Sequence, residues 1–314
     1  MPDAQTERAV QAYGSAPDSP RSPHAPPAPR VRPHGRLLPL RVGTRGSPLA
    51  LYQTRMFLER LRGFCPVLHG PLLGGAEVFE EHVIRTTGDR VQDRSLAEIG
   101  GKGLFAKEIH EALLDGRIDF AVHSLKDLET ELPPGVVLAC TLRREDARDA
   151  LILGPGCRPP DPGDPLSVLP AHALIGTNSV RRQAQLLHAR PDLRMTLLRG
   201  NVGSRLDKVR RGECQASLLA LAGLKRLGLE AEAGLVLDPD AMVPSAGQGI
   251  VGVTVREDDE ELRELLAGIE DPEARADGSF LLKRSVHGPA SDAERLGAAL
   301  GASLRADSPR DIFG

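Results

Sequence analysis

Residues 118–127 read IDFAVHSLKD, an apolar run that gives way to polar residues at its C-terminal end. A short apolar run bounded by polar residues is typical of a strand buried in a sheet. The preceding residues 104–113 place their apolar side chains on one face of a helix, and Gly116 supplies a C-terminal stop. We therefore predict a helix, then a buried strand, with Lys126 and Asp127 just beyond the end of that strand.

The same alternation continues along the chain on both sides of this stretch. Further strands are predicted at residues 39–45, 78–86, 173–177, 195–198 and 216–222. Ser47 opens a helix after the first of these, and Ser179 can cap a helix that starts at Val180. Strands that alternate with helices imply an α/β fold with parallel strands, in two units, the second of which begins near Asp149.

The composition argues against several classes of protein. The 314 residues (33.6 kDa) are enough for about two domains of roughly 100–200 residues each. Lys and Arg number 40 and Asp and Glu number 43, and a net charge of −3 is unlike the basic excess of nucleic-acid binders. Aromatic residues make up 3% of the chain, which argues against stacking platforms. No apolar run approaches the roughly 18 residues of a transmembrane helix, so no membrane partner is expected.

The cysteines and the N-terminal residues complete this general description. Cys65, Cys140, Cys157 and Cys214 form no C-x-x-C pair, and their spacing matches no zinc pattern. We predict reduced thiols in a cytoplasmic protein, no metal site and, because no apolar signal region is seen, no secretory signal. Eight of the 26 prolines fall in the first 33 residues, so residues 1–37 are predicted to be a disordered, Pro-rich tail outside the fold.

The ends of the predicted strands are rich in cations. In an open α/β sheet a ligand binds beyond the carboxyl ends of the strands, where helix N-termini also favour anions. The polar segments at these ends and at the starts of the helices contribute Arg45, Lys102, Lys126, Arg181, Arg182, Arg199 and Arg205. A cationic cleft in a slightly acidic protein indicates a small polyanionic ligand. A polycarboxylate fits best, because Arg binds a carboxylate with two parallel hydrogen bonds.

Asp127 is a carboxylate among these cations and has two interpretations. It could stabilise a positive charge or move a proton, or it could form a structural ion pair with Lys126 or an Arg. His123 is more typical of a core histidine than of a catalytic base. Residues 100–103 lack the spacing of a phosphate-binding loop, and the basic residues 181–190 are more typical of a solvated helix face than of a nucleic-acid patch.

Eight segments, taken together, resemble the porphobilinogen deaminase (hydroxymethylbilane synthase) family. They occur in family order over roughly residues 40–276: GTRGSPLAL (43–51), TGD (87–89) with Asp93, GGKGLFAKE (100–108), AVHSLKD (121–127), GTNSVRRQ (176–183), LRGNVGSR (198–205), AGLKRLGL (222–229) and PSAGQG (244–249). So many ordered motifs make chance an unreasonable explanation.

The resemblance implies a fold of two periplasmic-binding-protein-like (type II) α/β domains with a double crossover, plus a small α+β C-terminal domain. By that likeness, domain 1 comprises residues 38–142 and 244–267, and domain 2 comprises residues 148–243. A truncated remnant of domain 3 comprises residues 272–314.

The resemblance also implies an activity and roles for individual residues. The family's transferases condense four porphobilinogen molecules head to tail with loss of ammonia, in tetrapyrrole (heme) biosynthesis, on a dipyrromethane cofactor. Asp127 matches the catalytic aspartate, which holds the pyrrole N–H groups and stabilises the azafulvene cation. Residues implied to bind substrate or cofactor are Arg45, Ser47, Lys102, Lys126, Ser179, Arg181, Arg182, Arg199, Arg205, Arg226 and Gln248. We expect a monomer whose partners are porphobilinogen and the growing pyrrole chain.

One departure from the family concerns the cofactor. The family holds dipyrromethane as a thioether on a cysteine in an L-x-G-G-C loop of the third domain, and this sequence has no such loop. Family-like sequence stops at Ala276 and resumes from Asp277, as though about 40 residues were missing. Three explanations stay open: an enzyme that is active without this cysteine, a pyrrole-binding relative that has lost turnover, and a normal enzyme whose recorded sequence lacks an internal segment.

Overall fold

The computed structural model describes residues 30–31, 37–65, 77–91, 103–157, 161 and 164–269. The chain divides into Met1–Leu38 and Pro39–Gly314. In the first part, β1 (Arg30–Val31) pairs antiparallel with β2 (Leu37–Leu38). The rest of the predicted tail and the whole predicted domain 3 remnant lie outside the described residues.

From Pro39 onward, the described residues contain ten strands and seven helices. The strands are β3 (Leu40–Thr44), β4 (Phe79–Val83), β5 (Phe120–Ser124), β6 (Val136–Thr141), β7 (Asp149–Leu153), β8 (Leu174–Gly176), β9 (Arg194–Thr196), β10 (Ala216–Ala220), β11 (Leu235–Val236) and β12 (Val251–Arg256). The helices are α1 (Pro48–Phe64), α2 (Thr87–Arg90), α3 (Lys107–Leu114), α4 (Val180–Ala189), α5 (Val202–Arg210), α6 (Leu221–Arg226) and α7 (Glu260–Ala267). Short 3-10 turns lie at Leu125–Asp127, Pro165–Val168 and Glu230–Glu232.

The strands form two five-stranded sheets, with orders β4-β3-β5-β12-β6 and β11-β7-β10-β8-β9. The chain passes from the first sheet to the second through residues 142–148, and returns through residues 237–250 to add β12 to the first sheet. The predicted α/β fold with a double crossover is therefore confirmed. The sheets lie within the predicted domain boundaries at residues 142, 148 and 243, and the boundaries themselves stay predictions.

The expectation of parallel strands is only partly correct. Strand β3 is parallel to β4 and β5, and β8 is parallel to β9 and β10. Strand β12 is antiparallel to β5 and β6, and β7 is antiparallel to β10 and β11. Strands β7 and β12 each enter their sheet from the other sheet. They therefore lack the helical crossover within one sheet that makes neighbouring strands parallel.

Helix α1 begins where the sequence predicts. Ser47 is its N-cap and accepts a hydrogen bond from the Ala50 N–H at 3.2 Å, and Pro48 occupies the first turn, where no N–H partner is needed. Its buried face carries Phe57, whose ring meets Phe120 of β5 edge-on at 5.9 Å. Burial of such a ring contributes about 1.5–3 kcal/mol, so this contact anchors α1 on the first sheet.

Two apolar clusters support the second sheet. One gathers Leu151, Ile175 and Leu186, and the other gathers Leu206 and Leu219. Leu186 belongs to α4 and Leu206 to α5, so the two helices are held by their apolar faces. No helix among the described residues is long and apolar enough to cross a membrane.

Two buried histidines lie next to each other, His123 in β5 of the first sheet and His110 in α3. The Nε2 atom of His123 is 2.9 Å from Thr254 Oγ1, and its ring lies 5.7 Å from the ring of His110. Burial, with the nearby His110 and Arg45, lowers the pKa of His123 to about 3. Burial also lowers the pKa of His110, although Glu129 opposes this. His123 is thus a neutral core histidine, as the sequence favours.

We predict that His123→Gln makes folding less sensitive to acid. Below pH 6.5 the unfolded chain binds a proton at His123 that the folded chain, with a pKa of about 3, does not bind. The free energy of unfolding therefore falls as the pH falls, by about 2 kcal/mol between pH 6.5 and 5 for this residue. Glutamine keeps a polar partner for Thr254 but does not titrate. Urea denaturation from pH 7 to 5 measures the difference.

The matched control is His188→Gln, on the exposed surface of α4. Its free energy of unfolding should fall with pH by as much as that of the wild type. Equal acid loss in all three proteins would contradict the assignment of His123 as a buried neutral group.

Candidate active site

The polar ends of several strands meet in a cleft between the two sheets. From the first sheet, Arg45 follows β3, and Lys126 and Asp127 form the 3-10 turn after β5. From the second sheet, Arg199 follows β9 and donates from Nη2 to the Gly88 carbonyl at 2.9 Å, across to the first-sheet turn α2. The cleft therefore brings predicted site residues from both sheets together.

Arg45 lies at the centre of a charge cluster on the first-sheet side. It donates to Asp89 through Nε at 3.2 Å and Nη2 at 2.5 Å, and to Asp127 through Nη1 at 3.3 Å. Its guanidinium also lies 4.2 Å from the centroid of the Phe105 ring. These contacts fix the orientation of Arg45 beside Asp127.

Asp127 and Asp89 share this single guanidinium but differ in the number of hydrogen bonds that they accept from it: two for Asp89 and one for Asp127. Burial raises the pKa of Asp89, but hydrogen bonds from Arg45 and Thr86 outweigh burial and hold the pKa below its usual value. The Asp127 side chain keeps 30% of its surface exposed and makes one ion pair, at 3.3 Å. A partly exposed carboxylate held by one long ion pair has room to accept hydrogen bonds from a ligand.

The ammonium group of Lys126 points to residues 237–250, the crossing segment that returns to the first sheet. Its Nζ donates to Gln248 Oε1 at 3.2 Å. Lys126 is exposed, and charged groups of both sheets lie around its ammonium. Desolvation and the charges of Arg182 and Arg205 lower the pKa of Lys126 to about 8, against the opposing effect of Asp127 and Asp149. Lys126 is therefore a cation at neutral pH that loses its charge in mild alkali.

Two arginines at the start of α4 converge on one buried carboxylate. Arg182 donates to Asp149 through Nε at 3.2 Å and Nη2 at 2.7 Å, and to the Leu218 carbonyl through Nη1 at 2.8 Å. Arg181 donates to Asp149 at 2.8 Å and to the Val243 carbonyl. Arg182 is 6% exposed, so most of its donors serve the protein interior. Arg181 is the more accessible of the pair.

Arg205 extends the cationic surface from α5. Its Nε donates to the Gly200 carbonyl at 2.8 Å. Desolvation, together with the charges of Arg182 and Arg199, lowers the pKa of Arg205 to about 10. The group stays charged at neutral pH, and the shift itself shows how closely these cations are packed.

The remaining predicted site residues have different positions. Ser47 and Ser179 are the N-caps of α1 and α4, so their hydroxyl oxygens already accept backbone N–H bonds. Arg226 donates to the Gly249 carbonyl at 2.6 Å, in the returning crossing segment. Gln248 bridges Lys126 to the second sheet. Lys102 lies outside the described residues.

Sequence reasoning missed the counter-charges. It quoted Asp89 within a motif without a role, and it used Asp149 only as a boundary. The signal for Asp149 was an acidic residue directly before the apolar run ALIL, a position where a charge needs a partner. The stacking of Phe105 on Arg45 had no signal beyond the helical pattern.

This arrangement suits one kind of chemistry. A surface of guanidinium and ammonium groups binds carboxylates, and the exposed carboxylate of Asp127 can hold N–H groups or stabilise a cation that forms beside it. Among the described residues, no group of three or more His, Cys, Asp or Glu side chains is placed to hold a metal ion.

The chain is similar to several known proteins. The family model described as porphobilinogen deaminase, dipyromethane cofactor binding domain, matches residues 40–264. A porphobilinogen deaminase of Caulobacter vibrioides is 52% identical over 222 residues, which is 70% of this chain and 67% of that protein. One of Paracoccus denitrificans is 40% identical and covers 88% of this chain and 96% of its own length. An ancestral arginine-binding protein bound to arginine is 16% identical, has a TM-score of 0.42 and covers 73% of this chain and 90% of its own.

The returning crossing segment supplies a prediction. Gly249 has a φ of +92°, and a Cβ there would lie 2.2 Å from the Glu145 carbonyl oxygen in the other crossing segment. We expect Gly249→Ala to cost at least about 2–3 kcal/mol, because a left-handed φ and a backbone clash act together. The control Gly212→Ala has a φ of +75° with no atom within 4 Å of the added Cβ.

Urea denaturation of both variants separates the two effects. Gly212→Ala should cost only about 1 kcal/mol, from its backbone conformation alone. Equal costs for the two variants would show that the two crossing segments do not constrain each other.

Proposed function

Because the chain belongs to the porphobilinogen deaminase family, we propose that it acts as a hydroxymethylbilane synthase, a transferase that condenses four porphobilinogen molecules head to tail and releases ammonia at each step. The observation that carries the proposal is the partly exposed carboxylate of Asp127 inside a cationic cleft. Porphobilinogen combines carboxylate side chains with a pyrrole ring that becomes cationic when ammonia leaves. The cleft offers a complementary group for each part.

Asp127 is the proposed catalytic residue. When ammonia leaves, positive charge spreads onto the ring nitrogen of the substrate. A carboxylate placed beside that nitrogen accepts its N–H and lowers the energy of the cation. Arg45, paired with Asp127 at 3.3 Å, keeps the carboxylate oriented, and it makes its two other side-chain hydrogen bonds to Asp89. Asp127 is thus left with enough negative charge to stabilise a substrate cation.

The cations around Asp127 are the proposed carboxylate binders. Lys126, Arg181 and Arg205 reach the cleft from both sheets, and each uses part of its donor set on protein oxygens. Arg199 is 5% exposed and bonds the Gly88 carbonyl, so it would act mainly by joining the two sides of the cleft. Charge-assisted hydrogen bonds to acetate and propionate groups would fix the ring relative to Asp127. Ser47, Ser179, Arg182 and Arg226 would act mainly by holding the backbone and the neighbouring charges. Lys102 remains a proposed binder from the sequence.

The cofactor of the family, dipyrromethane, fits the described cleft in part. Its carboxylates would be held by Lys126 and the arginines, and its N–H groups by Asp127. When bound, it supplies the free pyrrole α-carbon to which the first substrate unit is joined. None of the four cysteines forms a disulfide; Cys140 is buried in β6, and Cys214 is buried just before β10. No cysteine follows Cys214 in the sequence, so the thioether of the family has no matching residue here.

A gap relative to full-length relatives supports the interpretation that a segment with this cysteine is missing. The alignment with the Paracoccus denitrificans protein runs over 315 positions but takes in 88% of this 314-residue chain, so it opens gaps in this chain. A missing segment leaves the charge arrangement of the two sheets intact. We therefore propose that the cleft binds pyrroles as in the family, whereas the step that the gap removes is covalent retention of the primer.

Cytoplasmic location and a monomeric state also belong to this proposal. Four cysteines that form no disulfide, two of them buried, agree with a reducing compartment. Size-exclusion chromatography with light scattering tests the monomer directly.

One prediction of this proposal concerns the primer. Purified after expression, the chain should have the mass of its polypeptide alone, because no described thiol lies beside Asp127. Intact mass spectrometry measures this. A mass increased by a dipyrromethane unit would contradict the proposal, and peptide mapping would then identify the attached residue.

The second prediction concerns Asp127. Asp127→Asn removes the charge but keeps the shape, and it should lower the rate of ammonia release from porphobilinogen by about 10²–10³-fold or more, because the cation loses its stabilising partner. Asp115→Asn, an exposed carboxylate at the end of α3, is the control and should leave the rate unchanged. A wild-type rate in Asp127→Asn would remove the assigned role. If the wild type neither releases ammonia from porphobilinogen nor binds it in calorimetry, the proposed function is refuted.

A further inference from the structure

Asp149 is the most completely bonded carboxylate in the described cleft. It begins β7, its side chain is 0% exposed, and its two oxygens accept four hydrogen bonds. Oδ1 accepts from Arg182 Nη2 at 2.7 Å and from Gln248 Nε2 at 2.8 Å. Oδ2 accepts from Arg181 at 2.8 Å and from Arg182 Nε at 3.2 Å. A group so enclosed cannot touch a ligand, so any effect on binding must pass through these partners.

The charges of Arg181 and Arg182 explain why a carboxylate is buried at position 149. Burial raises the pKa of Asp149, but the charges and hydrogen bonds of Arg182 and Arg181 outweigh burial and hold it below its usual value. Asp149 is therefore ionised, and it offsets one of two adjacent guanidinium charges. Without it, the two guanidinium groups would lie side by side without a counter-charge and would repel each other.

Gln248 carries the influence of Asp149 to the first sheet. Its Nε2 donates to Asp149 and to the Ala147 carbonyl, so both amide protons are used. A carboxylate accepts hydrogen bonds and cannot donate, so the NH2 end of the amide must face Asp149. Its carbonyl oxygen must then face Lys126, and it accepts a hydrogen bond from Lys126 Nζ at 3.2 Å. The orientation of one amide thus links position 149 to the ammonium beside Asp127.

We propose that Asp149 is a positioning residue of the cleft, which holds the guanidinium groups of Arg181 and Arg182 directly and the ammonium of Lys126 through Gln248. The inference rests on the proposed function only in the nature of the ligand, a pyrrole carboxylate. The link from Asp149 to Lys126 is a property of the protein alone. It can be measured without turnover.

The charged groups that face Lys126 set the direction of the effect. Asp127 and Asp149 raise its pKa, and Arg182 and Arg205 lower it. Asp149→Asn removes a negative charge. It also disturbs the orientation of the Gln248 amide, whose oxygen accepts from Lys126. Both changes disfavour the ammonium form of Lys126. The pKa of Lys126 should therefore fall further, and the cleft should lose its cation at a lower pH.

NMR of protein with ¹³C-labelled lysine tests this directly. The chain has six lysines, and Lys126→Arg identifies the Lys126 signal by its disappearance. In the wild type the Lys126 signal should titrate near pH 8. In Asp149→Asn its midpoint should fall by at least roughly half a pH unit. Calorimetry should show porphobilinogen binding about tenfold weaker at pH 7.5, with the loss of affinity in alkali beginning at lower pH.

Asp119→Asn is the matched control. Asp119 is also a buried carboxylate that accepts from an arginine, Arg41, at 2.8 Å, and it lies near a second, Arg256. It should lower thermal stability but leave the Lys126 midpoint and the affinity unchanged. A purely structural role for Asp149 would give the same pattern in Asp149→Asn, and this would overturn the proposal.

A second variant protects the test against failure to fold. Gln248→Leu leaves the bonds between Asp149 and the arginines intact but removes the acceptor of Lys126, so it too should lower the Lys126 midpoint. An unchanged midpoint in Gln248→Leu would overturn the proposed link. If the wild type binds no porphobilinogen but the midpoints shift as expected, the positioning role stands and the proposed function fails.

Discussion

The account depends on the ability of several cations to share one cleft in a protein whose net charge is −3. Packed guanidinium groups repel each other and lose hydration, which is costly unless carboxylates lie among them. Asp89 and Asp149 meet this need on the two sides of the cleft, the first with Arg45 and the second with Arg181 and Arg182. Burial, together with the charges of Arg182 and Arg199, lowers the pKa of Arg205, in keeping with an excess of cations there. A cleft with such an excess of positive charge favours a polyanionic ligand.

The double crossover places these charges together. Residues 142–148 and 237–250 join the sheets, and between them they contain Ala147, Gln248 and Gly249. Gln248 bonds both Lys126 from the first sheet and Asp149 from the second, and Arg226 from α6 binds the Gly249 carbonyl. The two segments that join the sheets therefore also supply residues that hold the side chains of the cleft. A change in either one will be felt in the other.

The sequence was sufficient for the features that local pattern controls. Apolar strands followed by Arg45, Lys126 and Asp127 predicted a cationic site at strand ends, and Ser47 and Ser179 predicted helix starts. Pairings distant in sequence were beyond it: 99 residues separate Asp149 from Gln248, and 44 separate Arg45 from Asp89. The antiparallel placement of β7 and β12 was missed because it follows from the crossings, which no local pattern of residues encodes.

The central claim is that the cleft recognises the carboxylates of a pyrrole. The most direct measurement is calorimetric titration of the wild-type chain with porphobilinogen and, separately, with its dimethyl ester, which keeps the ring and removes the negative charges. The account predicts saturable binding of the acid that weakens as salt is added, and binding of the ester at least about tenfold weaker. Equal affinity for both compounds, or no binding of the acid, would contradict it.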